Sequence, residues 1–309
     1  MNQLSTLTAP VDAEVSRWRA DQLTRIHRVL GPGTTDTVAA AIAPQSLALK
    51  FALDHHRLQG AEDAARARDT TAYTWYRNND SARFADLRLP EPWQGHVLPY
   101  IDPAKLENSA IADAPYYLLG PEFRRASHDL EHLTATALST AAAHGFGPLI
   151  DQQAAIICLL RTRQIGQTMA SWSITRLPGT VYTDHANDPH ILGRDLVHEA
   201  AHNWLNSVLT IRQITLDDQI TFYSPWKEVQ RPVFGYLHAC WAFPLTMIYA
   251  AAVLRCLDGP VASFLSTYLD KQTALLAQTE TDHKLALATV NDPALQNILR
   301  SIYLEARAL

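Results

Sequence analysis

Cysteine is scarce in this sequence: Cys158, Cys240 and Cys256 are its 3 cysteines among 309 residues. They are too few and too far apart for a disulfide framework or a C-x-x-C metal or redox site. We expect each of them to be a small, buried apolar side chain. The 12 glycines and 17 prolines are scattered along the chain, which excludes a collagen-like or low-complexity protein.

An excess of basic residues is also lacking. The chain has 26 Lys and Arg against 31 Asp and Glu, a net charge of −5, whereas nucleic-acid-binding proteins normally carry a basic surplus or stripe. Hydrophobic residues make up 47% of the chain and charged residues 18%, which excludes disorder and is enough for a full core. The composition therefore predicts a globular protein with no nucleic-acid partner.

The sequence shows no signal peptide, because residues 1–18 have neither a basic start nor an apolar stretch. We therefore expect a cytoplasmic protein. Residues 233–254 contain no Asp, Glu, Lys or Arg and are long enough to span a bilayer. This run includes a histidine and a proline, and the chain has no second run like it. A buried core helix is therefore predicted, with no membrane partner.

The first half of the chain is rich in alanine and has apolar residues at helical spacing. Residues 89–103 hold four prolines and predict an irregular connection. We divide the chain into an Ala-rich helical region, 1–150, and a metal-binding catalytic region, 151–309, which could form one continuous domain. In the first region helices are predicted over 12–30, 36–58, 61–78 and 121–143.

The pattern changes near residue 171. Residues 171–175 alternate polar and apolar side chains, and 180–183 follow a Leu-Pro-Gly turn, so two short strands are predicted. Asp188-Pro189 then offers an N-cap and a proline at the first helical position. The predicted fold class is mainly α with a small β element (α+β), in which a zincin-like strand pair leads into a long helix packed in a helical bundle.

That helix contains the motif that carries chemistry, H-E-x-x-H at residues 198–202. Positions i and i+4 lie on one helix face, so His198 and His202 can reach a single metal ion. Glu199 lies close enough on the helix to address a metal-bound water. The motif therefore predicts a metal site with Glu199 as the candidate catalytic residue.

A third protein ligand must come from elsewhere in the chain. The residues after His202 do not extend the motif to H-E-x-x-H-x-x-G-x-x-H, so a metzincin is not expected. His238, a single histidine in the uncharged run, is the first candidate. Glu228 is the second, and Asp217 or Asp218 follow.

Four elements between residues 171 and 255 occur in order: the turn Leu177–Thr183, HEAAHNWLN at 198–206, Pro225-Trp226-Lys227 with Arg231-Pro232, and Leu237-His238. This stretch resembles the HExxH-type α-ketoglutarate-dependent peptide β-hydroxylases, which were long known only as HExxH-containing peptide-modification proteins. Many of those proteins are encoded beside genes for ribosomal peptide natural products. Residues 1–150 add little to the resemblance.

The resemblance implies Fe(II) held by His198, His202 and His238, with α-ketoglutarate as co-substrate and O2 as oxidant. It further implies hydroxylation of an unactivated C–H, the β-carbon of an amino-acid residue in a peptide or natural-product precursor. A guanidinium suits the far carboxylate of the co-substrate because it binds in two parallel hydrogen bonds. Arg231 is the first candidate, Lys227 is the alternative, and Arg212 is a further one.

Two other functions stay open. A zinc metallopeptidase or other zinc hydrolase would use Glu199 as general base on the metal-bound water. In the oxygenase Glu199 would orient water or bind a polar substrate group. A metal-free helical interaction protein is the third hypothesis. A peptide-like substrate could add to the edge of the 171–183 strands by backbone pairing, and tryptophans 204, 226 and 241 are expected mainly as core residues.

Overall fold

The structure, a computed structural model, describes residues 4–31, 44–79, 81–109 and 112–309. The described chain is mostly helical with a small amount of sheet, which confirms the mainly α class with a small β element. Two short 3-10 helices cover Ser81–Leu87 and Pro103–Lys105. The helices are α1 (Leu4–Leu30), α2 (Pro44–Ala67), α3 (Thr70–Asn78), α4 (His128–Ala143), α5 (Gly147–Gln153), α6 (Pro189–Ile211), α7 (Val233–Leu254), α8 (Gly259–Ala277), α9 (Glu280–Ala288) and α10 (Pro293–Arg307).

The strands form three small sheets. The first is a hairpin of β1 and β2, the second has the order β3-β5-β4, and the third is a hairpin of β6 and β7. In the second sheet β3 runs parallel to β5 and β4 runs antiparallel to it. The strands are β1 (Glu107–Ser109), β2 (Ala112–Tyr116), β3 (Ile156–Arg163), β4 (Ser171–Trp172), β5 (Thr180–Ala186), β6 (Thr221–Ser224) and β7 (Val229–Pro232).

The strand pair before the motif helix is confirmed as β4 and β5, with Trp172 opposite Tyr182 in the register. The sequence reading missed β3, the parallel neighbour of β5, and it missed the hairpin of β6 and β7. β3 begins with five consecutive buried residues. Such a run shows no alternation between faces, and periodicity alone does not distinguish it from a buried helix.

Helix α6 begins where its sequence predicts. The Asp188 side chain accepts hydrogen bonds from the backbone N–H groups of His190 and Ile191, and Pro189 occupies the first turn. These contacts satisfy N–H groups that have no partner inside the helix. The predicted apolar stripe of α6 is buried: Leu192, Leu196, Ala200, Trp204 and Val208.

Helix α7 corresponds to the uncharged run. Among the described helices, α7 is the one that is long and apolar enough to cross a membrane, and 83% of its most apolar window is buried in the fold. It packs against α6, where the Trp204 and Trp241 rings stack with centroids 4.7 Å apart. Trp241 Nε1 donates to the Ala201 carbonyl over 3.0 Å. The burial agrees with the predicted core helix.

The boundaries of the first helices differ from the prediction. The predicted break near residue 60 is wrong, because α2 continues to Ala67, and the chain instead breaks at Arg68, which has a φ of 57°. Gly60 lies inside α2, and the Tyr76 ring of α3 packs against it. A Cβ at residue 60 would lie 2.2 Å from that ring, so this position requires glycine. Part of the predicted helix 36–58, residues 36–43, lies outside the described residues.

The two predicted regions are joined by polar contacts. Trp204 of α6 donates to Asp12 Oδ1 of α1 over 2.8 Å, and the buried Arg19 of α1 donates to Gln153 of α5. The division at residue 150 remains a prediction. Cys158 and Cys240 are buried as expected, whereas Cys256 is exposed, so the expectation for that residue is wrong.

His56 links α2 to the start of β5. Its Nδ1 accepts from the Leu119 N–H and its Nε2 lies 2.9 Å from Thr180 Oγ1. An accepting Nδ1 requires a neutral ring, and burial lowers the pKa of His56 to about 3.

The pH dependence of folding should therefore contain a contribution from His56. Below pH ~6.5 the unfolded chain binds a proton that the folded chain does not, so stability falls by about 1.4 kcal/mol per pH unit for this group. We expect His56→Gln to be less stable at pH 8 but to lose stability less steeply between pH 6 and 4. Urea unfolding at several pH values measures this. The exposed His132, changed to Gln, is the control, and an unchanged slope in His56→Gln would contradict the assignment.

Candidate metal centre

The two motif histidines lie one turn apart on the same face of α6. His198 Nε2 and His202 Nε2 are 3.1 Å apart, and both side chains line a large cavity. The helix geometry predicted from the spacing i, i+4 therefore brings two nitrogen donors together. Helix α6 is fixed on its other side by its buried apolar stripe, which sets the direction of these rings.

His238 reaches the same place from α7. Its Nδ1 lies 3.0 Å from His202 Nδ1, and it lines the same cavity. The His202 ring therefore lies between the other two, with Nε2 towards His198 and Nδ1 towards His238. Since an imidazole normally gives one nitrogen to an ion, binding one metal by all three histidines requires a ring to turn from this orientation.

A tighter group of possible ligands includes the motif glutamate. The ligand atoms of His198, Glu199 and His202 all lie within 4.8 Å of one another. The Glu199 side chain is buried, and its Oε2 has no hydrogen-bond partner among the described residues. Burial raises the pKa of Glu199 to about 8, and hydrogen bonds with Ser171 and Ser173 partly oppose that rise. Strand β4 thus places Ser171 against the motif glutamate.

The three imidazoles are in the protonation state that a metal requires. Burial lowers the pKa of His202 to about 4 and lowers those of His198 and His238 further below the usual range. Metal-ligating histidines must be neutral. His238 Nε2 is also buried without a partner in the described structure, so the site contains polar atoms that a bound group could satisfy.

The cavity that contains these residues has a volume of about 1230 Å³. One wall is the segment 166–173 with β4, the floor is α6, and the opposite wall comes from α7 and α8. Aromatic side chains in the opposite wall include Phe243, whose ring stacks on Trp226 with centroids 4.7 Å apart. Trp204, Trp226 and Trp241 do not line the cavity, in agreement with their expected core role.

Arg231 is the cation that stands out in this cavity. Its guanidinium makes no ion pair or hydrogen bond with any residue that the structure describes, and burial lowers its pKa. Gly235 leaves the room for it: a Cβ at residue 235 would lie 2.6 Å from Arg231 Nη2. Lys227, the alternative, lines the same cavity from the turn between β6 and β7.

The other candidates named from the sequence lie away from the cavity. Glu228, Asp217 and Asp218 are exposed and do not line it. Arg212 lies at the end of α6, where it forms ion pairs with Glu14 and Asp292. The structure therefore gives Arg212 a structural role.

Sequence reasoning missed an ion pair inside the cavity. Arg194 donates from Nε and Nη2 to Asp195 Oδ1, and its guanidinium lies over the Phe264 and Tyr268 rings. The pair precedes His198 by one turn of α6. Its position was available from the helix spacing, because residues 194 and 195 share a face with 198 and 199. No sequence pattern indicated that Phe264 and Tyr268 of α8 would pack against Arg194.

No family model and no curated protein matches this chain.

The metal site can be tested by removing one histidine at a time. His198→Ala, His202→Ala and His238→Ala are each expected to lower Zn²⁺ affinity about tenfold or more, because each removes a nitrogen donor. Isothermal titration calorimetry on the full chain gives the affinities. His190→Ala, in the first turn of the same helix, is the control. Wild-type affinity in His238→Ala would remove His238 from the ligand set.

Proposed function

We propose that this protein is an Fe(II)/α-ketoglutarate-dependent oxygenase that hydroxylates the β-carbon of an amino-acid residue in a peptide or natural-product precursor. The observation that carries the proposal is the guanidinium of Arg231, which has no ion-pair partner among the described residues, in the same cavity as His198, His202 and His238. The resemblance to the HExxH-type peptide β-hydroxylases supports it. We further propose that β4, β5 and α6 have a zincin-like arrangement. We place the reaction in the cytoplasm.

The donor set fits the proposed metal. Three neutral imidazoles leave coordination positions open for a chelating 2-oxo acid and O2, and imidazole binds iron as well as zinc. Bound Fe(II) would supply the activation of O2 that is coupled to decarboxylation of α-ketoglutarate. The chain itself holds the nitrogen donors on two packed helices, whose separation is fixed by the Trp204–Trp241 contact.

Arg231 would bind the far carboxylate of α-ketoglutarate. Arg231 is half-buried, and such a guanidinium gains more from a carboxylate than a fully exposed one, because water competes less for its N–H groups. Within the described part of the chain, no ion pair of Arg231 has to be broken first. The hydrophobic wall of α7 and α8, with Phe243 and Phe264, would keep bulk water from the reacting carbon.

The proposed reaction predicts a direct spectroscopic result. Anaerobic addition of Fe(II) and then α-ketoglutarate to the full-length protein is expected to give a weak visible absorption band, and admission of air should release succinate. His202→Ala is the control, since it lacks a metal ligand. Bound iron with neither the band nor succinate would contradict the oxygenase.

Arg231 provides a separate test of co-substrate binding. Arg231→Ala is expected to weaken α-ketoglutarate binding about 10- to 100-fold, because a hydrogen bond to a charged group contributes about 1.5–3 kcal/mol. Lys227→Ala is the matched variant and should have a smaller effect. Iron affinity should stay unchanged in both. If Lys227→Ala weakens α-ketoglutarate binding more than Arg231→Ala does, Lys227 holds the carboxylate.

Gly235→Ala tests the position of the same guanidinium. The added Cβ would lie 2.6 Å from Arg231 Nη2, so the guanidinium must move and α-ketoglutarate binding should weaken in the same direction as in Arg231→Ala. Alanine stabilises a helix relative to glycine, so we expect Gly235→Ala to have a normal melting temperature. Wild-type co-substrate affinity in a folded Gly235→Ala protein would show that the guanidinium position is not required.

A zinc hydrolase is the second candidate function. The close grouping of His198, Glu199 and His202 favours it, because a buried carboxylate near two histidines can act as general base on a metal-bound water. Two results together would indicate a hydrolase. The protein would cleave peptides with zinc bound and lose this activity in Glu199→Gln, and it would form no succinate from α-ketoglutarate in the presence of iron.

A further inference from the structure

The cavity at the histidines continues into a smaller pocket towards the C-terminal end of α6. The two spaces share three wall residues, Thr175, Asn206 and Phe234. The smaller pocket has a volume of about 210 Å³. Pockets that hold whole small-molecule ligands measure about 300–1000 Å³, so this one is of a size for a single side chain.

Four of the eight residues that line this pocket are apolar. Leu209, Ile214 and Leu216 form its inner wall, and the Phe234 side chain, 40% exposed, lies at the passage to the main cavity. Asp218 also lines it and is exposed. The apolar wall favours an aliphatic or aromatic side chain, and the nearby carboxylate disfavours an acidic one.

The distance from the histidines to the pocket fits an extended peptide. Leu209 follows His202 by seven residues on α6, which is about 10 Å along the helix axis at about 1.5 Å per residue. An extended chain rises about 3.3 Å per residue. Side chains two or four positions apart share one face of an extended chain. A peptide with one residue at the histidines would therefore place the residue two or four positions away at the pocket.

Strand β4 offers a backbone partner along this path. β4 is an edge strand of its sheet. The Ala170 carbonyl accepts from the Asp184 N–H, and residues 171 and 183 are the next opposed pair. Alternate residues of an antiparallel strand point their N–H and C=O groups to opposite sides. The N–H and C=O groups of Ser171 therefore point away from β5. Ser171 and Thr175 both line the cavity.

We propose that the 210 Å³ pocket is a specificity site that binds a leucine, isoleucine, methionine or phenylalanine side chain of an extended peptide, two or four residues from the residue at the histidines. The peptide pairs with the outer edge of β4 while its side chain enters the pocket past Phe234. This inference rests on the peptide substrate of the proposed function and is independent of the reaction that follows.

Affinity selection tests the proposal without turnover. A randomised nonapeptide mixture is applied to the immobilised full-length protein loaded with Zn²⁺, and mass spectrometry reads the retained sequences. The wild type is expected to enrich large apolar residues at one position. Thr210→Trp, which fills the pocket from an exposed position on α6, and Leu216→Arg should each reduce that enrichment about tenfold, as expected for losing burial of one apolar side chain.

Two control variants make the test specific. Thr24→Trp changes an exposed helix threonine on α1 that, like Thr210, donates to the carbonyl four residues earlier. Val229→Asp changes a 53% exposed residue of the β6–β7 hairpin that lines neither pocket. Both should enrich the same sequences as the wild type. Absence of an apolar preference, or its persistence in Thr210→Trp and Leu216→Arg, would overturn the proposal. Selective binding without succinate formation would instead leave this pocket assigned and remove only the oxygenase.

Discussion

The packing of α7 against α6 is the contact on which the site depends. Trp241 donates to the Ala201 carbonyl, next to His202, and its ring stacks on Trp204. These contacts fix the separation of the two helices at the level where His238 faces His202. A histidine pair on one helix is common, but a third imidazole at 3.0 Å requires that the neighbouring helix be held in one register. The grouping of the three imidazoles is therefore a product of core packing.

The same packing explains why a site rich in polar groups is stable inside an apolar core. His238 is buried, His198 and His202 are partly buried, and all three imidazoles are neutral, so they avoid the large cost of burying a charge. The charges that remain are paired, as in Arg194–Asp195, or border the cavity, as in Arg231. The cavity thus has a neutralised pair beside His198 and, near His202 and His238, the cation Arg231, which forms no ion pair within the described part of the chain.

The sequence was most informative where the local chemistry is strong. The Asp188-Pro189 cap, the apolar stripe and the H-E-x-x-H spacing located α6 and its two histidines. The uncharged run located α7 as a core helix. The break expected at Gly60 was wrong because that glycine accommodates the Tyr76 ring, a tertiary contact that no local pattern reveals. β3 was missed because its first residues are buried on both faces and carry no period.

The site was predictable only where local helix periodicity determines it. Residues on α6 follow from helix periodicity, whereas Ser171, Ser173 and Phe264 come from segments far apart in the chain. The identity of the metal does not follow from the donors, because imidazole nitrogen binds iron and zinc alike. The ordering of the rings, with His202 between the other two, depends on side-chain packing that the sequence does not encode locally.

Arg212 ties together parts of the chain that lie far apart in sequence. Its ion pairs with Glu14 of α1 and with Asp292, the N-cap of α10, converge on the last turn of α6. Both outermost helices are thereby anchored to the element that carries the histidines. Fraying of α1 or α10 would be transmitted to the motif helix, so the rigidity of the histidine cluster depends on both of these helices.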